Sequence, residues 1–492
     1  MNIFNINCNN CNNCNNCNNC DNCNIDNCDN QVFIPWKPPI TRIINKVIEC
    51  GIHTCGTNRN LSLGRITNTD INYYSDNKSI KMKNTIKKIV SGKNFTAILT
   101  LGDIYTFGSN EMFQLGYKTN NINSPSLTPH KITKFYDIKT QLITSELKFS
   151  DISCGDNHMC ALTTNGLLFT WGDNKYGQLG FETNTIVNLP KNYDSKKYNK
   201  ISSRGNMSSF ITGSNVYVAG DNTCGQLTIN DYQSYNIMTD ISSNVVKNIK
   251  EIIFGGYHSI FIKNDNTILS CGDNKYGQLC RDTQKSCTYS LAPITYFDDM
   301  DGQNIKVVKV SCGYYHTIIL TTNNLLFSAG LNVFGQLGRE TDDYKNDMIP
   351  FIISNNNMEI NFNQSDTKNL LEEIDLTPLK KQCKKLGTIL VSTYKSYENI
   401  GCGPYINKNY KLKRIDLKKF NIECNNIKNI SAGNSHTLLL TENGSVVSFG
   451  SNGNGELGYK TKTKKSFELI LIPKVVNVKH IIASSNFSII LI

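Results

Sequence analysis

Seven cysteines, Cys8, Cys11, Cys14, Cys17, Cys20, Cys23 and Cys28, are spaced mostly as Cys-Asn-Asn-Cys. Two thiolates three positions apart can converge on one zinc ion or close a redox pair. The filler is almost entirely asparagine, without turn or core residues around it, and such a composition cannot build a packed core. Residues 1–35 therefore read as a low-complexity, disordered tail, and no metal or cofactor is assigned to the chain. Four histidines, His158, His258, His316 and His436, stand at equivalent places of a repeated segment, an arrangement that could serve metal binding or acid–base chemistry. Phe95, Met207 and Phe487 hold the same place in other copies, so the position accepts apolar groups, and packing between neighbouring repeats accounts for it better.

The third set is basic. The chain carries a net charge of +11, and eleven Lys or Arg against Glu398 and Asp416 fall between Thr377 and Phe420. Lys380 with Lys384, and Lys381 with Lys385, are four apart on a segment that starts at Thr377-Pro378 and stops at Gly387, which predicts a helix with a basic face. Lys411, Lys413 and Arg414 extend the run, making these seven residues the candidate partner-binding face. Two readings stand: an electrostatic contact with phosphate, nucleic acid or an acidic protein patch, or a solvated surface helix. No P-loop, Gly-x-Ser-x-Gly elbow, His-Glu-x-x-His or dinucleotide fingerprint occurs, so no catalytic residue is assigned and an enzyme is not expected.

The elements that would position these groups come from repetition. Trp171-Gly172-Asp173-Asn174-Lys175-Tyr176-Gly177-Gln178-Leu179-Gly180 recurs seven times, with its leading glycine at Gly56, Gly108, Gly172, Gly220, Gly272, Gly330 and Gly450. Gly and Asn there suit tight turns, and the repeated Leu reads as a core anchor. The Asp-Asn pairs at 173 and 174, 221 and 222, and 273 and 274 are turn chemistry rather than metal ligands. A second apolar element, such as Ile152 to Thr163, also occurs seven times, the other starts lying near Ile89, Ile201, Ile252, Val310, Ile430 and Ile481. The chain opens with a turn motif lacking its upstream partner and closes with an upstream element lacking its turn motif, so the two ends complete one unit.

A unit of roughly 50 residues with about four strands matches a propeller blade. The predicted fold is all-β: a seven-bladed β-propeller over 36–492, its ring closed by N- and C-terminal strands sharing one blade, interrupted by a partly helical insertion at 340–427. The insertion shows as a gap of 120 residues between Gly330 and Gly450, against 48 to 64 elsewhere. One propeller uses the whole chain length, with no second globular domain.

Paired in this way, the Cys-Gly-x-x-His-x-x-x-Leu-Thr and Trp-Gly-x-Asn-x-x-Gly-Gln-Leu-Gly elements resemble the RCC1 repeat, over about residues 45–340 and 428–492. Arg204 and Ser484 depart from it by replacing the first glycine of their units. The resemblance implies an interaction scaffold whose loops choose an unidentified protein partner. The alternative it implies is a guanine-nucleotide exchange factor for a Ran-like small GTPase, associated with chromatin. Exchange in that family uses acidic and histidine residues on one face and a protruding wedge, and no segment here matches the wedge. A light sensor of the plant RCC1-like kind needs clustered tryptophans, and only Trp36 and Trp171 exist. Fusion to a ubiquitin ligase is not expected, since the chain ends within its last strand. With no apolar run of membrane-spanning length and no secretory leader, the expectation is an intracellular monomer, cytoplasmic or nuclear, with no membrane contact. Nucleic acid is a further candidate partner through the basic insertion.

Overall fold

The computed structural model describes most residues from 51 to 341, two short paired strands at Phe351–Ile353 and Ile389–Val391, residues 413–415 and 417, and most residues from 427 to 492. The cysteine-rich tail and the helix expected near 377–387 lie outside the described residues.

The repeats fold into seven four-stranded antiparallel sheets. The first six begin at Lys88, Phe149, Lys200, Ile249, Val307 and Ile427 and are numbered one to six in that order. Each runs in simple meander order, because tight turns can join only antiparallel neighbours. Blade seven is shared by the chain ends: His480–Ala483 and Phe487–Leu491 pair with Ile52–Thr57 and Ile71–Asn72. The seam is a continuous ladder from Ile52 opposite Leu491 to Gly56 opposite Phe487.

First strands of successive blades pack against one another all the way round and back to the start, which closes the ring and places them at its axis. Between every pair of adjacent blades lies one apolar core. Phe95, Ile152 and Trp171 pack in the first interface, and Ile52, Phe107 and Phe487 in the one that joins blade seven to blade one. The anchor leucines Leu63, Leu115, Leu179, Leu227, Leu279, Leu337 and Leu457 are all fully buried. Each apolar side chain contributes about 1.5–3 kcal/mol by leaving water. Because the interfaces form a circle, each blade has two neighbours and no terminal blade is left uncovered.

Meander order also sorts the connections. The turn between strands one and two and the link between strands three and four emerge on one face, here called the turn face; the other connections emerge opposite. Blade five takes its fourth strand from Lys413–Arg414, paired with Ser328 and Phe327. Ile415 follows, fully buried, with its N–H on the Leu326 carbonyl. In chain order, the third-to-fourth strand connection of blade five thus runs from Gly330 to Lys413.

Candidate partner-binding face of the ring

The turn motif is held by its own side chains. Asn174 Oδ1 accepts the Leu179 N–H at 2.8 Å, Gln178 Oε1 accepts the Tyr176 N–H at 2.9 Å and Asp173 Oδ1 accepts the Lys175 N–H at 3.0 Å. Asp221 and Asp273 do the same for Thr223 and Lys275. These aspartates are occupied by turn geometry. Gly172 has φ of +101°, and a Cβ there would stand 2.5 Å from the Asn157 carbonyl oxygen. The chain must cross its own first turn at that point, and only glycine permits both the conformation and the contact. Gly56, Gly108, Gly220, Gly272, Gly330 and Gly450 share this geometry, with φ from +105° to +112°.

The four histidines bind blade to blade. His258 Nε2 lies 2.9 Å from Thr317 Oγ1, and that hydroxyl donates to the Gln278 carbonyl at 2.7 Å. Its single proton being used, the hydroxyl accepts from Nε2–H. His436 repeats the pattern with Ser488, whose hydroxyl donates to the Glu456 carbonyl at 2.7 Å. His316 meets Thr437 in the same way, the hydroxyl donating to the Gln336 carbonyl at 3.0 Å, and His158 Nε2 lies 2.8 Å from Ser208 Oγ, which also meets Ser203 Oγ at 3.2 Å. Burial pulls His158, His258 and His436 down to about 3, and His316 well below its usual value. All four rings are neutral at pH 7 and sealed from solvent. They are interface bolts, and no group of three or more metal-capable side chains converges among the described residues.

What the turn face offers instead is aromatic. The first turns hydrogen bond across blades: Lys93 N–H to Asp156, Asp156 N–H to Gly205, Gly256 N–H to Tyr314, Tyr314 N–H to Asn434 and Asn434 N–H to Ser484. The Ser484 hydroxyl donates to the Gly92 carbonyl at 2.7 Å and joins the last blade to the first, so the series runs from blade four round to blade three. On this circuit stand Tyr257 of blade four and Tyr314 and Tyr315 of blade five, joined by Tyr276 from a turn motif. Tyr257 and Tyr314 meet edge to face at 5.6 Å, Tyr314 and Tyr315 at 5.0 Å, and Tyr276 and Tyr315 at 5.4 Å. Burial pushes Tyr257 up to about 12 and Tyr314 and Tyr315 higher still, so the cluster presents neutral phenols. Half-exposed tyrosines combine apolar area with a polar tip at little entropic cost, which suits a protein interface.

Arg204 supplies the charge. It occupies the innermost place that glycine fills in five other blades, and its Nη1 donates to the Ala432 carbonyl of blade six at 3.1 Å, bridging the axis. The missing glycine moves one position along, to Gly205 at φ of +55°. Both departing units, at Arg204 and Ser484, keep complete four-stranded blades.

Of the sequence-predicted basic residues, Lys413 and Arg414 are exposed on the outer strand of blade five. Lys380, Lys381, Lys384, Lys385 and Lys411 lie outside the described residues. The tyrosine cluster was missed by motif reading. The signal for it is the Tyr just before the histidine in Tyr257-His258 and Tyr315-His316, where the other units carry Asn or Ser.

Comparison with known proteins agrees with this architecture. The sequence model described as the RCC1-like domain matches residues 49–365, and that of the regulator of chromosome condensation (RCC1) repeat matches residues 427–456. The chain is 29% identical over 260 residues to the ultraviolet-B receptor UVR8 of Arabidopsis thaliana, covering 51% of this chain and 54% of that protein. It is 27% identical over 278 residues to the human X-linked retinitis pigmentosa GTPase regulator, covering 55% of this chain and 25% of that protein. The chain thus spans about half or less of these relatives' length. Among solved structures, human WBSCR16 superposes with a TM-score of 0.64 at 16% identity, over 90% of this chain and 98% of that one. Prp20p of Saccharomyces cerevisiae, reported with its binding properties to Gsp1p and histones, superposes with a TM-score of 0.62 at 18% identity, over 90% and 91%.

Proposed function

Because the chain belongs to the RCC1-like domain family, we propose that it is a non-enzymatic, intracellular interaction scaffold that holds a protein partner on its turn face. The carrying observation is the cluster of Tyr257, Tyr276, Tyr314 and Tyr315 on a circuit of hydrogen-bonded turns. A rigid frame that presents neutral aromatic side chains loses little entropy on binding. Among the described residues no helix is long and apolar enough to cross a membrane.

The second reading is nucleotide exchange on a small GTPase, favoured by a shared fold with a protein whose structure is reported together with its binding to Gsp1p and histones. Two observations weigh against it: the repeat histidines are buried between blades, and Asp173, Asp221 and Asp273 are engaged by their own turns. Light reception finds no support, since Trp171 is a buried core residue donating to the Gln114 carbonyl.

The test is affinity capture from host lysate with the full chain and with a Tyr257→Ala/Tyr314→Ala/Tyr315→Ala variant, one arm stripped of nucleotide by chelator. Proteins lost with the variant in both arms support the scaffold, provided the variant keeps its melting temperature. A small GTPase enriched only in the stripped arm supports exchange. Identical capture by both chains refutes a partner site at the tyrosines.

A further inference from the structure

The axial mouth opposite the turn face is framed by the first residues of the inner strands, and its charge is mostly positive. Blade five places Lys309 there, blade six Lys428, blade seven Lys479 and His480, and blade one Lys87 and Lys88. All but Lys309 are exposed. The two carboxylates at equivalent places, Asp151 and Glu251, belong to blades two and four, just outside this arc, where Lys200 of blade three donates to the carbonyl of Lys250 in blade four at 2.7 Å. Asp151 takes Lys88 at 2.6 Å, and Glu251 acts on Lys309. Lys309 Nζ is held by Asn429 Oδ1. Lys428, Lys479 and Lys87 form no ion pair among the described residues.

These groups are close enough to feel one another across blades. His480 is held below its usual value by burial and then by Lys428, Lys309 and Lys479, and Lys88 acts on Lys309 across the axis. Lys428, Lys479 and Lys87, on three consecutive blades, therefore add unpaired positive charge beside the engaged Lys309 and Lys88. An isolated surface lysine loses its field within a Debye length, whereas several converging on a concave, protein-walled mouth reinforce each other and concentrate anions.

We propose that this crescent is a binding site for a compact polyphosphate, a small molecule bearing several phosphate groups. The curvature selects the class: lysines from four blades surround a single axial position, which fits phosphates carried on one small core, whereas a nucleic-acid duplex would meet a flat or extended basic strip. Asp151 and Glu251 at the two ends limit the site and repel a long polyanion that runs past it. The site is independent of the tyrosine face, which lies on the other side of the ring.

Titration calorimetry of the full chain with inorganic tripolyphosphate, against sulfate at matched ionic strength, tests it. Wild type should bind tripolyphosphate with an affinity that sulfate does not match, and Lys428→Glu/Lys479→Glu should weaken it by about tenfold or more. Lys175→Glu/Lys275→Glu on the turn face should leave it unchanged. If the Glu pair does not fold, Lys428→Gln/Lys479→Gln should give a smaller loss in the same direction. Equal affinity of the double variant and wild type would overturn the site and place binding elsewhere, the 377–420 segment being the obvious location. A short DNA duplex that displaces tripolyphosphate at lower concentration would overturn the compact-ligand assignment.

Discussion

Acid should open this ring steeply, and the histidine bolts set the slope. His158, His258 and His436 are pulled down to about 3 in the folded chain, and His316 well below its usual value, because burial excludes the charged form. In the unfolded chain each returns to about 6.5. Their folded values are depressed, so their contribution is complete above 6.5 and is lost as pH falls toward 3. At pH 5.5 the unfolded chain holds roughly 3.6 more protons on these four groups than the folded one. Asp273 opposes this: burial raises it to about 6, so the folded chain holds nearly one proton that the unfolded chain lacks. The balance is roughly three protons, or about 4 kcal/mol lost per pH unit. Against a total stability of about 5–15 kcal/mol, that is enough to unfold the ring within a few units below neutrality. Urea unfolding at closely spaced pH values from 7.5 to 4.5 reads the slope directly. His258→Phe, which installs the residue found at Phe95 and Phe487, should reduce uptake by about one proton and change stability at pH 7.5 by only about 1 kcal/mol, since Thr317 keeps its bond to Gln278. Net uptake below one proton, or an unchanged slope in His258→Phe, would refute the assignment of neutral buried bolts.

Gly172→Ala forces a Cβ against the Asn157 carbonyl at a strongly positive φ and should cost about 3 kcal/mol, measured as a drop in urea midpoint. Asp273→Asn keeps an oxygen for the Lys275 N–H and removes a raised buried acid but sets its amide N–H against Gln278 Nε2, which donates to the second carboxylate oxygen at 2.8 Å; the net gain should stay below about 3 kcal/mol at pH 7.5 and shrink as pH falls from about 6 to 3.8. Excising residues 377–410 should leave the melting temperature nearly unchanged, whereas excising 377–420 removes the fourth strand of blade five and buried Ile415 and should lower it clearly in calorimetry. Removing residues 487–492 strips the partner of Ile52–Thr57 and should abolish cooperative unfolding, and a retained sharp transition would contradict closure through the shared blade.

The sequence, read alone, determined the number of blades, the split blade and the glycine positions, because a tight turn that crosses its neighbour tolerates few residue types and repetition exposes them. It also showed that the histidines pack between units, since Phe and Met replace them. It read 340–427 as an insertion within the propeller: Lys413, Arg414 and Ile415 look like the rest of a lysine-rich run, and only strand pairing with Phe327 and Ser328 assigns them to blade five. Arg204 read as a defect in a repeat and proved to be the group that spans the axis. The tyrosine cluster and the lysine crescent were not legible at all, because their members come from different blades at sequence separations of tens to hundreds of residues. Local patterns encode turns and blades; which side chains meet around the axis is decided only when the ring closes and brings strand one of every blade to a common centre.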